Sequence, residues 1–496
     1  MKIEGGKIHM KSNTLIQLTP SLRYLSRDQM EEIHYSALEI LERTGVVVFH
    51  DEALELLKAA GARVEGNLVK IQECLVKRAL ATVPSRVVMA NRDGERCLFL
   101  EPHRSYFGTG SGCPYTIDPI TGERKKTKKE DIANLAKLCD YLSNIDFLMS
   151  MGLVQDKYPE IGYIHEFDAL VRNTKKPIIM STNDRQNTLD IIKMAETVMG
   201  GPEQLRDKPI LAIYSEATSP LRHAEDAVGK MLACAEKWVP IIHTIGMMSG
   251  ATAPITLAGA LVQGNAELLS ALVIHQLKQP GAPFLYGGTI TAIDMKTMAH
   301  PYGAPEFHVL SAALTEMGSY FYKMPVFSTG GCSDAKSFDE QASAEAAYSL
   351  LLEALSGGNL IHDIGYIDSG LTSSPHQIVF SNEMIELIKH VVQGIPFGKE
   401  ELALDVINKV GPGGHYLAEE HTLRNFRRIF SPELLTREQY DTWKSNGMKT
   451  LGQRVDEKVK WIIKEYTPEP LNEEIAKKLD DLIEDFIKES ELRHAK

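Results

Sequence analysis

Basic residues are in the minority in this chain. Its 496 residues carry 54 Lys and Arg against 66 Asp and Glu, a formal net charge of −12. With no basic stripe to neutralise a phosphate backbone, nucleic acid is not an expected partner. Cysteine is sparse, with six residues (Cys74, Cys97, Cys113, Cys139, Cys234, Cys332) scattered without CxxC pairing. That spacing argues against a disulfide framework and against a structural zinc. A catalytic zinc needs three ligands and an open position, and no His-x-x-x-His or paired Cys stands where strands are expected to end, so no metal of its own is expected. No stretch reads as a run of ~20 apolar residues able to span a membrane. The N-terminal stretch lacks an apolar signal segment, and the expectation is a cytoplasmic protein with reduced thiols. A glycine-rich dinucleotide turn and low-complexity tracts are also missing.

What is present is a cadence. Short apolar runs at 106–109, 147–152, 177–181, 210–214, 240–243, 283–288, 325–330 and 360–363 each end in polar or glycine residues and lead into a helix-like stretch. Their starts lie roughly 30 to 43 residues apart, the length of one strand, one crossover helix and two loops. Unbroken apolar character suits parallel strands buried on both faces. Five runs have proline at or just before the first residue (Pro177, Pro209, Pro240, Pro283, Pro325), where no ladder donor is lost. An open doubly wound sheet shares the alternation, but eight units favour closure into an α/β fold of the (β/α)8 TIM-barrel type.

The barrel is expected over 101–380, after a mainly helical region at 1–100 and before a helical extension at 381–496. Ser26 can cap a helix with Met30, Ile33, Ala37, Ile40 and Leu41 at helical spacing, stopping near Gly45. The last helix, with Ile475, Leu479, Leu482, Ile483 and Phe486 on one side, is amphipathic and suits packing on the barrel or on a sister subunit.

In a barrel of this kind the loops after the strands build the site. The candidates there are Glu216 after the fourth strand, His243 at the fifth, and His362 with Asp363 at the eighth. Each has a structural alternative, such as a core histidine or a loop ion pair. Phe107, Tyr115, Tyr214, Tyr286 and Tyr366 usually would fill cores, yet as a set at strand ends they could cage an organic cation at ~0.5 to 2 kcal/mol per face. Cys332 has no evident base beside it and reads as structural. Glycines at the rim, among them Gly110, Gly287 and Gly331, permit close approach of something bulky to the backbone.

At these same places the sequence is recognisable. Asp118-Pro119-Ile120-Thr121-Gly122-Glu123-Arg124, the stretch from Ser249-Gly250-Ala251-Thr252 to Ala260, Asn359-Leu360-Ile361-His362-Asp363-Ile364-Gly365-Tyr366, and Gly411-Pro412-Gly413-Gly414-His415 with His421-Thr422 resemble the trimethylamine methyltransferase family. The resemblance implies a (β/α)8 enzyme that moves a methyl group from an amine to the cobalt of a corrinoid (cobalamin) carried by a separate small protein. The archetypal members carry pyrrolysine near the end of the seventh strand, whereas Gly330 to Lys336 here holds only ordinary residues. The chain thus resembles the non-pyrrolysine branch, which demethylates quaternary amines such as glycine betaine, proline betaine and carnitine. Whole-chain likeness to the glycine betaine:corrinoid methyltransferases of anaerobic bacteria makes glycine betaine the preferred substrate and dimethylglycine the product. A homo-oligomer is expected.

A quaternary ammonium leaves as a neutral amine once a methyl departs, so no general acid is needed at nitrogen, and positioning should supply much of the rate. Glu216 is the first choice for a carboxylate facing the cation. His243 and His362 are the first candidates to meet a betaine carboxylate, with Arg222, His223 and helix-start amides behind them. Two other classes stay open: a metal-dependent barrel enzyme, revived by stoichiometric zinc, and a non-catalytic betaine-binding scaffold, favoured by binding without methyl transfer.

Overall fold

The computed structural model describes residues 2–4, 7–9 and 21–494, with side chains for residues 21–490. The N-terminal stretch in which the sequence carries no signal segment lies mostly outside the described residues.

A parallel sheet curls through Ile178–Ser181, Leu211–Glu216, Ile241–Ser249, Phe284–Ala292, Val326–Thr329, Leu360–Ile364 and Tyr106–Thr109. The expected second strand is reduced to two parallel bridges, Gly108 to Phe147 and Leu148 to Ile178, and these close the ring. The chain leaves the β conformation soon after, at Met151 with φ 57°, and Gly152 packs so tightly on Thr127 that a Cβ would not fit. A helix follows each strand position: Lys129–Tyr141, Gly162–Asn173, Arg185–Met199, Glu225–Lys237, Leu257–Lys278, Pro305–Glu316, Glu340–Ser356 and Pro375–Val392. The fold is a (β/α)8 barrel with helical extensions.

Strand alternation divides the core in two. Met149, Ile179, Ala212, Ile242, Leu285, Phe327 and Leu360 point inward and pack with Val87, Met89, Leu98 and Leu100. The latter four belong to the hairpin Val87–Ala90 and Arg96–Leu100, which seals the barrel's N-terminal end. Their outward neighbours, among them Ile178, Ile213, Ile241, Phe284 and Ile361, pack against the helices. The interior below the C-terminal rim is thereby filled, and only the rim is left for a ligand.

Ser26 caps Arg27–Arg43 as a capping box with Gln29, and Met30, Ile33, Ala37 and Leu41 are buried. This helix packs on Leu257–Lys278, which is long and apolar enough to cross a membrane. The sequence expectation that no such stretch exists is therefore corrected. The helix is largely buried within the fold, and its Glu267 carboxylate accepts from Ser219 Oγ and the Leu221 amide at 2.7 and 2.9 Å. At the other end of the chain, Leu479, Ile483 and Phe486 of Glu473–His494 are buried and the helix packs on Arg185–Met199.

Candidate active site

Inward positions of the fourth and eighth strands meet at the rim. On the fourth strand Ala212, Tyr214 and Glu216 alternate inward, and Glu216 has room only because Gly246 on the fifth strand lacks a Cβ, which would collide with its Oε1. On the eighth strand the pairing with the first shifts register between Ile361 and Ile364. This bulge turns Asp363 to φ 71°, so that the consecutive side chains of His362 and Asp363 both line the same cavity. Gly110 opposite is bare because a Cβ there would enter Asp363 Oδ1 and the Tyr366 ring.

The resulting cavity, about 370 Å³, is lined by Tyr214, Glu216, His300, Tyr302, His362, Asp363 and Tyr366, with Ser111, Met149, Gly246, Thr289, Ser369 and Gly370 between them. Tyr302 and Tyr366 stand edge to face, 6.3 Å apart at 84°. His300 packs on Tyr302 at 5.1 Å. Their loop is fixed from below: the Tyr302 and Gly303 amides donate to the Asp334 carboxylate at 2.9 and 2.8 Å. Ser369 Oγ donates to the same carboxylate at 2.8 Å, and Thr291 Oγ1 donates to the Pro301 carbonyl at 2.9 Å.

The charge states follow from enclosure. His362 Nδ1 donates to the Ser328 carbonyl at 2.7 Å, leaving Nε2 to face Asp363 Oδ1 at 3.3 Å. Burial pushes the imidazole down to about 4 and the Asp363 carboxyl up to about 8, the latter opposed by the Tyr366 hydroxyl and reinforced by Glu216. At neutral pH the pair is a neutral imidazole and a protonated carboxyl that donates to it, and it brings no net charge into the cavity. Glu216 stands at the rim with its carboxylate surface open to the cavity. Burial raises its pKa, opposed by the Tyr214 hydroxyl and by Lys230, with Glu267 adding to the rise. Tyr214 donates to Glu216 Oε2 at 3.3 Å. Burial also holds Tyr214, Tyr302 and Tyr366 well above the usual phenol range, so all three remain neutral. No Lys or Arg lines the cavity. Three neutral phenols and the Glu216 carboxylate are groups that attract an organic cation.

Of the residues expected here, Glu216, Tyr214, His362, Asp363 and Tyr366 share the cavity, with Gly110 packed beneath. The others lie elsewhere, and for three of them the reason is one step of strand alternation. His243 faces the helix layer, fully buried beside His223 and Phe284 at 5.8 and 6.3 Å, and neither ring nitrogen has a partner. Tyr286 also points outward and donates to Asn265 Oδ1 at 2.9 Å. Phe107 is buried in the helix-side core. Tyr115 lies on the strand Tyr115–Ile117, its face covered by the Arg124 guanidinium at 3.6 Å. Arg222 is exposed on a short strand paired with Val47 in the N-terminal sheet. Gly287 and Gly331 make room for the Phe327 carbonyl and for Ile364, so both serve strand packing.

His300 and Tyr302 escape a reading that ends the sixth strand at the Gly287-Gly288 pair. The strand continues to Ala292, and the loop beyond it carries Ala299-His300-Pro301-Tyr302-Gly303. The alternation through Thr289, Ile290 and Thr291 was the available signal. Among the described residues, no group of three or more His, Cys, Asp or Glu side chains is arranged to hold a metal ion.

Comparison with known proteins adds the relatives. The family model for trimethylamine methyltransferase (MTTB) matches residues 2–490. A trimethylamine methyltransferase MttB of Desulfitobacterium hafniense is 36% identical over 463 residues, covering 93% of each chain. A glycine betaine methyltransferase of the same species is 31% identical over 470 residues, covering 94% of this chain and 98% of that one. A trimethylamine methyltransferase MttB of Methanosarcina thermophila is 34% identical over 471 residues, covering 92% and 96%.

Proposed function

The chain belongs to the trimethylamine methyltransferase family, and from that premise we propose that it moves a methyl group from a quaternary amine in the barrel cavity to a reduced corrinoid presented by a separate protein. The observation that carries the reading is the cage of Tyr214, Tyr302 and Tyr366 around one ionisable carboxylate, Glu216. Such a cage suits a permanent cation and needs no acid to expel the amine. Glycine betaine is the preferred substrate and dimethylglycine the product.

The corrinoid supplies a reduced cobalt nucleophile when its carrier docks. The chain's own residues do the positioning. The phenol faces and Glu216 hold the ammonium, contributing ~0.5 to 2 kcal/mol per aromatic face. The neutral His362–Asp363 pair shapes the floor without adding a second anion that would over-stabilise the bound cation.

We further propose a cytoplasmic homo-oligomer. Residues 395–429 follow Pro375–Val392 and expose Ile395, Phe397, Leu404, Leu417, Leu423 and Ile429. An apolar surface of this kind marks an interaction site. A second copy of the chain would cover it, and a monomer in sedimentation at micromolar concentration would overturn that.

The central test mixes protein, reduced corrinoid and each of glycine betaine, choline, carnitine, proline betaine and trimethylamine, following the corrinoid spectrum and the amine product. Turnover of a quaternary amine with trimethylamine inert is expected. Trimethylamine turnover matching the best quaternary amine would refute the substrate class, and binding without any methyl transfer would favour a scaffold.

A further inference from the structure

Between residues 101 and 380 the barrel exposes eight large apolar side chains, and seven of them stand in loops that leave the C-terminal ends of the strands. The eighth, Tyr348, lies on the outer helix Glu340–Ser356. The turns at the opposite end of the barrel expose none among the described residues. Ile120, Leu153, Tyr158 and Leu371 belong to the loops after the first, second and eighth strands, and Ile255, Met295 and Met298 to those after the fifth and sixth. In an eight-membered ring the fifth and sixth positions face the first and second, so the two groups stand on opposite sides of the cavity mouth. The same loops supply cavity lining: Ser111 from the first, His300 and Tyr302 from the sixth, Ser369 and Gly370 from the eighth.

These loops are fastened from within. Asp118 Oδ1 accepts from the Ile120 and Thr121 amides at 2.9 Å each, and Asp294 Oδ1 accepts from the Lys296 amide at 2.7 Å. The Leu153 amide donates to the Cys113 carbonyl at 3.1 Å, and the Leu371 carbonyl accepts from the Tyr115 amide at 3.2 Å. Apolar groups held in water around an opening mark an interaction site. At exposures of 44 to 74%, the seven present roughly 900 Å², against the ~800 Å² that each partner contributes to a standard protein–protein interface. An area of that size fits a protein and exceeds what a small amine would cover.

We infer that these loops form an apolar docking collar for the protein that carries the methyl acceptor, holding it on two sides of the mouth and sealing the cavity from water while the two are engaged. The inference rests on the proposed reaction, in which a carrier must present its group at this opening. A second copy seated on the collar would instead close the cavity to that carrier. Because the collar is apolar, the association should depend little on salt, whereas docking through exposed charges would weaken steeply.

The test is interferometry with each corrinoid-bearing protein of the source organism, purified by its corrinoid absorbance and kept in the Co(II) state so that no methyl group moves. One of them should bind the parent chain, and raising NaCl from about 0.1 to about 0.5 M should change that affinity less than threefold. Met295→Gln with Met298→Gln, and separately Ile120→Gln with Leu153→Gln, should each weaken it at least tenfold, as expected for losing two buried apolar side chains. Tyr348→Gln should stay within twofold. Choline affinity by calorimetry should stay within twofold in every variant, which shows that the barrel is intact. Double variants that bind the carrier as Tyr348→Gln does, or carrier binding abolished by salt, would overturn the collar. So would a changed sedimentation of either double variant, which would assign the surface to a second copy. If the parent binds choline but no carrier, the collar is wrong and the reading of the cavity stands; if it binds neither, both have failed.

Discussion

Replacing Glu216 with Gln isolates the one carboxylate left to hold a cation. With Asp363 protonated at neutral pH, removing the Glu216 charge leaves only aromatic faces for the ammonium. For a cation about 5 Å away at an effective dielectric of about 20, the lost attraction is ~3 kcal/mol, on the order of a hundredfold in Kd. Gln keeps the shape against Gly246 and the contact with Tyr214, so the fold should tolerate it, and thermal unfolding should stay near the parent value. Calorimetric titration with choline gives the measurement. In the parent, affinity should weaken as pH falls through the raised Glu216 pKa, set by burial against Tyr214, Lys230 and Glu267; in the variant the profile should flatten. In the proposed reaction positive charge leaves nitrogen in the transition state, so the loss should appear chiefly in KM and less in kcat. Choline affinity within threefold of the parent would refute the assignment of Glu216.

Gly110→Ala should cost at least tenfold in amine affinity, because its Cβ enters the space of Asp363 and Tyr366; unchanged calorimetry would remove the glycine from the argument. His243→Leu should leave amine binding untouched and stabilise the fold by about 1 kcal/mol, since it replaces a buried ring with two unpartnered nitrogens; a lowered urea midpoint would contradict this. Burial pushes Glu353 up to about 8, so the stability this group contributes is present below the ordinary carboxyl pKa and is lost as pH rises through 8. Glu353→Gln should flatten that alkaline decline in a series of chemical denaturation curves. On the acid side, burial lowers His223 to about 4 and His275 to about 3, so stability should fall as pH drops from about 6.5 toward those values.

The barrel was legible because each unit repeats one physical pattern: a buried parallel strand, a polar end and a helix. Fine placement was not, because strand ends cannot be fixed from composition. Ending the fifth strand near His243 put that ring at the rim, whereas the strand runs on to Ser249, and a single step of alternation sends His243 and Tyr286 into the helix layer. Glu216 lines the cavity because the fourth strand does end there. His362 and Asp363 could not both face inward on a regular strand, and no sequence pattern announces the bulge that allows it. Tyr115 illustrates another limit: a residue can stand just beyond a strand and still have its ring covered by a neighbour, here Arg124, that only the fold brings near.

The bulge also bears on how the cavity, in the proposed reaction, would hold a cation without trapping it. A regular strand would direct one of these neighbours outward and leave the other to settle its charge alone. With both inward, the His362 lone pair meets an Asp363 carboxyl that burial keeps protonated, and each side chain satisfies the other without contributing charge. Glu216, at the open side of the cavity, is then the carboxylate that faces three neutral phenols. A second carboxylate would add attraction that the departing, uncharged amine no longer feels, deepening the substrate well more than it lowers the barrier. In the proposed reaction the backbone irregularity at residues 361–364 thus couples to the strength of cation binding through a protonation state, so that affinity would be tuned from the eighth strand while the proposed contacts with the cation come from the fourth strand and the tyrosines.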